Sequence, residues 1–414
     1  MRILFTCVFL DGYHGSVMLV KEHAEYLAST RGGGHDVTVA TVIATPEITE
    51  FFTSCGVAVR HLPELDVSVH YDIVFAYHYP TLDHLLERGL HCEKLVMGSL
   101  SSFEKLESFP QYWDTASLLI VMSRETKEVH HDKYGIPLEK MLVFENNVPD
   151  AFAEYATSCP SLLPCRIAVV SNHIPREVEE LPMHLPKDCV FTMIGMGREI
   201  CEAVTPKLLS KFDVVISIGK TVQYAMALGI PVFEYDYFGG NGYVMPETMA
   251  KEAGNNFSGR PEKRKLRSSA LAAEILDGYG KAREQAPALR ELALKRFLLS
   301  KKMDELLKIV NDSNRFNGFS GGGYNLSLAH GSCFCAWVGH WKRSAMQAEA
   351  FIASMKDSCG QSQSELFRKL ARVEELERKC RRLKAKKHRY KVIASAAGIA
   401  LALSVGLHLY NFCL

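Results

Sequence analysis

The chain has 414 residues, of which 47% are hydrophobic and 23% charged, a composition that excludes a wholly disordered protein and suffices for two domains. Its 12 cysteines are scattered without a C-x-x-C pair, which excludes a small disulfide scaffold, argues against a structural zinc site and favours a reducing compartment. The net charge of +1 hides one basic stretch, residues 378–391, with nine Lys/Arg and no acid, so we expect no nucleic-acid partner.

Residues 1–158 are predicted to form a first Rossmann-like domain, because short apolar runs alternate with amphipathic helical stretches such as Val17–Ser29. Apolar runs without a polar face are typical of parallel strands covered on both sides. The first run, Ile3–Leu10, resembles a signal peptide, but it stops at Asp11-Gly12 with no cleavage site behind it, so a buried strand is favoured. The predicted strands are Ile3–Val8, Val37–Val42, Ala58–Leu62, Asp72–Ala76, Leu95–Met97, Leu118–Met122 and Met141–Phe144.

A second Rossmann-like domain is predicted over residues 165–310, after a segment containing Pro160 and Pro164. The helix Thr221–Leu228 lies between its last two strands, and a lysine-rich helical run over residues 286–310 closes it. Two such domains leave a cleft where the carboxyl ends of both sheets face each other, and ligands bind at such ends. The predicted strands are Arg166–Val170, Val190–Ile194, Val214–Ile218 and Val232–Tyr235.

Four turns at these strand ends are predicted to contact a ligand. The loop Leu10–Ser16 and the turn Ser217–Thr221 each lead from a strand into a helix, where unpaired amides favour an anion such as phosphate, although a plain helix cap is the alternative for the second. The glycine-rich segment Phe238–Gly242 is predicted to be a loop that approaches a ligand closely, with a bare turn as the alternative. Ser171–His173 follows the first strand of the second domain and is expected to face the same cleft.

The run Asp213–Glu234, DVVISIGKTVQYAMALGIPVFE, resembles the donor-site signature of GT-B-fold glycosyltransferases, particularly the large family 4 group. Leu118–Phe152 and Gly33–Val39 are similar to further segments of that family, so the resemblance covers about residues 1–310. It implies two Rossmann-like domains facing across a cleft. It also implies transfer of a sugar from a nucleotide-sugar donor to a glycan or lipid-linked acceptor, with the donor bound by the second domain.

This sequence departs from the family at two glutamates separated by seven residues, which contact the transferred sugar and the ribose. The equivalent positions are Ile216 and Tyr224, while Gly219 is kept and Lys220 is an added cation. A non-catalytic sugar-nucleotide-binding or membrane scaffold protein therefore remains an alternative, as does a nucleotide-sugar epimerase, although that enzyme would need carboxylates in the cleft.

The resemblance and the turns together predict the chemistry of the cleft. Lys220, Thr221 and the amides near Gly219 are expected to stabilise the leaving diphosphate, without a metal ion or any cofactor besides the nucleotide-sugar substrate. His14 is the catalytic candidate, near the acceptor or the transferred sugar; a loop histidine bonded to backbone is the alternative, and His78 is a weaker candidate. The donor- and phosphate-binding candidates are Gly12, Gly15, Asn172, Gly219, Lys220, Thr221, Gln223, Tyr224, Gly239, Gly240, Asn241 and Gly242.

The remaining residues are predicted to form an extension that ends in a membrane anchor. Residues 311–363 have the composition of a glycine-rich linker, in which Cys333, Cys335 and His340 lack a fourth metal ligand. Residues 364–391 are predicted to be a basic helical stalk, either a coiled coil that mediates self-association or a solvated helix. Residues 392–414 contain no formal charge and are expected to span a membrane with the body cytoplasmic, a buried terminal helix being the alternative.

Overall fold

The computed structural model describes residues 1–155, 161–316 and 318. The predicted stalk and membrane span, and the linker beyond residue 318, lie outside these described residues. Within the described ranges, no helix is both long enough and apolar enough to cross a membrane.

The first sheet has seven parallel strands in the order β3-β2-β1-β4-β5-β6-β7, and each contains a strand predicted from the sequence or overlaps one. The third strand in this order, β1, lies between β2 and β4 and is buried at every residue except the first, as expected when helices cover both faces. The strands are β1 (Arg2–Leu10), β2 (Asp36–Ala44), β3 (Ala58–His61), β4 (Tyr71–Ala76), β5 (Cys92–Ser99), β6 (Leu118–Val121) and β7 (Met141–Val143).

Side chains cap the N-termini of two helices in this part of the chain, and a glycine ends one of these helices. Thr45 accepts a hydrogen bond from the amide of Ile48, and Ser123 accepts one from the amide of Thr126, so each caps a helix N-terminus. Gly135 ends one helix in the left-handed conformation, with φ +66°. The helices are α1 (Gly15–Ala28), α2 (Pro46–Thr53), α3 (Tyr79–Glu87) and α4 (Arg124–Tyr134), followed by α5 (Asp150–Glu154).

The second sheet has five strands in the order β12-β11-β10-β8-β9, of which only β12 is antiparallel to its neighbour. The strands are β8 (Arg166–Val170), β9 (Val190–Ile194), β10 (Val214–Ser217), β11 (Val232–Asp236) and β12 (Gly239–Tyr243). The helices are α6 (Arg176–Glu179), α7 (Pro206–Leu209), α8 (Lys220–Leu228), α9 (Met249–Ala253), α10 (Ser268–Phe297) and α11 (Leu299–Asp312). The predicted helical run over residues 286–310 is thus two helices, which meet at Leu298.

Two helices each pack against the sheet of the other predicted domain. Phe152 of α5 is buried in the core beneath the second sheet, although residues 1–158 were assigned to the first domain. Met303 and Leu306 of α11 are buried in the core of the first sheet, although residues 165–310 were assigned to the second. The chain therefore crosses between the two sheets twice, and these crossings tie the two halves together.

Candidate functional site

A cavity of about 450 Å³ lies where the carboxyl ends of the two sheets meet. The first sheet contributes residues that follow β1, β5, β6 and β7, and the second contributes residues that end or follow β8, β9, β10 and β11. Carboxyl ends of parallel strands are the usual ligand-binding edge of such sheets. The residues of the wall include Leu100, Ser171, His173, His14, Gly15, Ser16, Glu107, Asn172, Glu202, Gly219, Lys220, Thr221, Tyr224, Asp236 and Asn256.

The loop between β1 and α1 supplies the histidine that the sequence singled out. His14 precedes the first residue of α1, and its Nε2 lies 3.0 Å from Oδ1 of Asp11. Because a carboxylate only accepts hydrogen bonds, Nε2 carries the proton and Nδ1 is left as the basic nitrogen. Gly12 does not line the cavity, but a Cβ there would lie 2.9 Å from Sδ of Met196, so glycine allows this close approach.

Two helix N-termini open into the cavity. At the start of α1, Gly15 and Ser16 line the wall, and at the start of α8 Gly219, Lys220 and Thr221 do. Gly219 has φ +61°, a conformation that favours glycine, and its amide donates to the carbonyl oxygen of Phe257 at 2.9 Å. The first-turn amides of a helix have no acceptor within it and carry the positive end of its dipole, so the two termini together favour an anion.

The ammonium of Lys220 has partners other than a ligand. Its Nζ lies 2.6 Å from Oε2 of Glu22 in α1 and donates to the carbonyl oxygen of Asn147 at 2.9 Å. Both charged side chains are less than one-tenth exposed. The sequence predicted that this ammonium holds phosphate, but the structure directs it into a buried ion pair between the two halves. Burial raises the pKa of Glu22, while Lys220 acts to lower it.

The carboxylate of Glu22 in this ion pair also binds Tyr224, which the resemblance described above aligns with the second glutamate. Its hydroxyl donates to Oε1 of Glu22, its ring stacks on Phe152 at 4.4 Å between centroids, and it lines the cavity. Gln223 points elsewhere: it is 1% exposed, does not line the cavity, and its Oε1 has no hydrogen-bond partner within the described residues. Ile216 is fully buried in the core of the second sheet.

A second histidine, His23, contacts Asn147, which also binds Lys220 of the ion pair, and it does not line the cavity. His23 Nδ1 lies 2.9 Å from the hydroxyl of Tyr77, and its Nε2 lies 3.1 Å from Oδ1 of Asn147. Burial lowers the pKa of His23 to about 3, so the ring is neutral at pH 7. His78, the weaker candidate, is 3% exposed, is absent from the wall, and its Nδ1 accepts a hydrogen bond from the amide of Val8.

The second sheet supplies a polar corner that includes Asp236, which was not among the residues predicted from the sequence. Asn172 Oδ1 accepts a hydrogen bond from the amide of Met196 at 2.8 Å, and Ser171 Oγ donates to Oδ2 of Asp236 at 2.9 Å. Asp236 is 5% exposed, and burial raises its pKa. Its position directly after the predicted strand Val232–Tyr235 was the signal that could have identified it.

Gly239, Gly240, Asn241 and Gly242 form strand β12 and do not line the cavity, whereas the sequence predicted a ligand-binding loop. A Cβ on Gly240 would lie 1.8 Å from the carbonyl oxygen of Glu234, and one on Gly239 would lie 2.2 Å from that of Arg264. These glycines therefore permit close packing of backbone against backbone. Asn241 is also occupied, since its Nδ2 donates to Oε2 of Glu252 at 2.7 Å.

The charges of the cavity wall are mainly acidic. Glu107, Glu202 and Asp236 line it, and among the described residues of the wall Lys220 is the only lysine or arginine. Because Lys220 is paired with Glu22, the helix N-termini are the groups left to attract an anion.

One group of described residues could hold a metal ion. Ligand atoms of His70, Asp72 and Glu93 lie within 4.8 Å of one another, but none of the three lines the cavity. Asp72 accepts a hydrogen bond from the amide of Arg2, and Glu93 is 3.0 Å from Arg315.

Comparison with solved structures identifies the fold. The pneumococcal O-GlcNAc transferase GtfA, solved with UDP and GlcNAc, matches over 75% of this chain and 99% of its own, with 10% identity and a TM-score of 0.52. A glycosyltransferase from Rickettsia africae matches over 75% of this chain and 98% of its own, with 16% identity and a TM-score of 0.49. The predicted GT-B fold is confirmed. No family model matches the sequence, and no curated protein is significantly similar to it.

Proposed function

We propose that the protein is a glycosyltransferase, similar to the family 4 enzymes, that transfers a sugar from a nucleotide-sugar donor to a membrane-associated glycan or lipid-linked acceptor. The observation that carries the proposal is the pair of helix N-termini, at Gly15 and Gly219, that open into one cavity. The diphosphate of the donor binds there, where backbone amides and two helix dipoles stabilise the charge that develops as the nucleotide leaves. The fold of the solved glycosyltransferase GtfA supports this assignment.

In this proposal His14 acts on the acceptor. Asp11 holds the proton on Nε2, so Nδ1 accepts the proton of an acceptor hydroxyl as its oxygen attacks the sugar. The diphosphate leaves without a metal ion, since the amides neutralise part of its charge. The body of the enzyme lies on the cytoplasmic side of the membrane that residues 392–414 span.

A second candidate, a non-catalytic sugar-nucleotide-binding protein, is favoured by one observation. Ile216 and Tyr224 replace the two family glutamates, and the hydroxyl of Tyr224 is occupied by Glu22. Such a protein would bind a nucleoside diphosphate without releasing one from any sugar donor. Incubation with a panel of nucleotide sugars, measuring nucleoside-diphosphate release with and without EDTA, separates the two candidates and tests metal independence.

Replacing Gly15 with proline tests the anion site directly. Proline removes the amide N–H at the first position of α1, where its fixed φ is tolerated, and the extended backbone of His14 suits a residue before proline. Losing one hydrogen bond to phosphate, worth roughly 1.5–3 kcal/mol, should weaken nucleoside-diphosphate binding about tenfold to a hundredfold. Gly15→Ala is the matched control, because its Cβ would meet no atom within 4 Å. Equal affinities of the two variants in calorimetric titration would remove the diphosphate from this helix end.

A further inference from the structure

A basic and aromatic surface lies beside the cavity, and the proposed chemistry does not use it. We define this rim surface as three exposed rings and three exposed cations: Phe103, Tyr237, Phe238, Lys263, Lys265 and Arg267. The three rings are 63%, 59% and 41% exposed, unusual values for side chains that proteins normally bury.

Residues of the rim surface closely follow residues of the cavity wall along the chain, in both halves of the protein. Phe103 lies three residues after Leu100, which lines the wall, and Tyr237 directly follows Asp236, which also lines it. The loop that carries the three cations follows Asn256, another residue of the wall.

Arg260 holds the rings of the two halves together. Its guanidinium pairs with both carboxylate oxygens of Glu125, with an Nε to Oε1 distance of 3.1 Å. Its Cζ lies 5.1 Å from the ring centroid of Phe103 and 6.0 Å from that of Phe238. Rings fixed in this way keep their exposed faces in one place, so the surface is an ordered feature of the fold.

The charge of the rim surface is not neutralised by nearby acids. Residues 260–267 contain five Lys/Arg and one acid, Glu262, whose partner is Lys251. Arg260 and Arg264 are paired with Glu125 and Glu274, whereas no ion pair within the described residues involves Lys263, Lys265 or Arg267. The ammonium of Lys265 lies 4.7 Å from the ring centroid of Tyr237, so cation and ring face the same solvent.

We propose that the rim surface docks onto the headgroups of an anionic lipid bilayer and so turns the mouth of the cavity toward the membrane. Exposed aromatic rings beside lysine and arginine are the composition that partitions to the headgroup level, because the rings bury apolar area while the cations attract acidic lipid. Outside the described residues, the most strongly charged stretch of the chain is 378–391. This stretch is itself basic, so the rim surface would repel it. That stretch would be drawn to the same anionic surface, which favours a bilayer as the occupant. The inference goes beyond the proposed function and does not depend on glycosyl transfer.

The test uses the full chain reconstituted in nanodiscs of zwitterionic lipid alone or with added phosphatidylglycerol. Hydrogen–deuterium exchange of residues 260–268 reports docking without reference to activity. Each basic side chain near an anionic surface favours docking by roughly fivefold, so three together should contribute on the order of a hundredfold. We expect slower exchange in this segment only with phosphatidylglycerol, and a loss of that protection when salt is raised from about 0.1 M to about 1 M.

The variant K263E/K265E/R267E should lose the protection. The matched control K295E/K301E/K308E changes the total charge equally through exposed lysines of α10 and α11 and should keep it. Equal exchange in the two lipids, or equal protection of both triple variants, would overturn the proposal. So would protection by soluble polyphosphate in detergent, which would make the surface a site for soluble polyanions, or protection in detergent alone, which would mean that another part of the chain covers it.

Discussion

Replacing Lys220 with methionine should strongly destabilise the protein, because it leaves the carboxylate of Glu22 buried without its counter-ion. The Lys220 ammonium lies 2.6 Å from that carboxylate, and the two side chains are 8% and 4% exposed. Breaking a buried pair by removing one partner typically lowers the free energy of unfolding by about 3–5 kcal/mol. The lost hydrogen bond to the carbonyl oxygen of Asn147 adds to this effect.

The double variant E22Q/K220M should recover most of that loss. Both replacements are neutral and close in shape to the original residues, and exchanging a whole buried pair is often nearly neutral. We expect its free energy of unfolding to lie within about 1.5 kcal/mol of the original protein, so the double variant should be more stable than K220M by at least about 1.5 kcal/mol. Lys302→Met is the control, since it removes a partly exposed pair with Glu305 that is worth about 0–1 kcal/mol.

Urea denaturation of the four proteins measures these differences, and calorimetric titration with a nucleoside diphosphate measures whether Lys220 also contacts the ligand. The buried pair predicts that E22Q/K220M binds the ligand with nearly the original affinity. A double variant as unstable as K220M would refute the pairing as the source of stability. A double variant that is stable but binds about tenfold to a hundredfold more weakly would show that the ammonium reaches phosphate after all.

Two further predictions concern the second sheet. Glu234 is fully buried, and desolvation together with Glu252 raises its pKa from 4.5 to about 8, so the folded state holds this proton more tightly than the unfolded state. Its contribution to stability is therefore greatest below about pH 4.5 and falls by on the order of 5 kcal/mol as pH rises to 8. Glu234→Gln should abolish this slope in urea midpoints measured against pH; an unchanged slope would place the titration elsewhere. Gly240→Ala should lower the free energy of unfolding by more than about 3 kcal/mol because its Cβ would overlap the Glu234 carbonyl oxygen, whereas Gly280→Ala in α10 should raise it by about 0.5–1 kcal/mol. A stable Gly240→Ala protein would contradict the packing of β12.

The sequence by itself determined every strand of the described residues except β12, the order of the two halves, and the two turns, at Gly15 and Gly219, that line the cavity. Buried parallel strands must be apolar on both faces, so runs such as Ile3–Val8 and Val214–Ile218 are visible without any knowledge of their neighbours. Gly219 was equally visible, since a strand that turns sharply into a helix needs a residue free to adopt positive φ. These features depend on local conformation and on the periodicity of burial.

Only the tertiary structure decided which partners the polar groups of the cleft have. Lys220 was predicted to face phosphate from its position at a helix start, yet Glu22, far away in the chain, lies against its ammonium once α1 and α8 pack together. The glycines at 239–242 have the composition of a loop, but the approach of Glu234 and Arg264 makes them a strand. Folding brings residues from distant segments of the chain together, and these residues decide which partner a charge has and how much space lies beside a glycine. The local sequence around the charge or the glycine therefore cannot predict either.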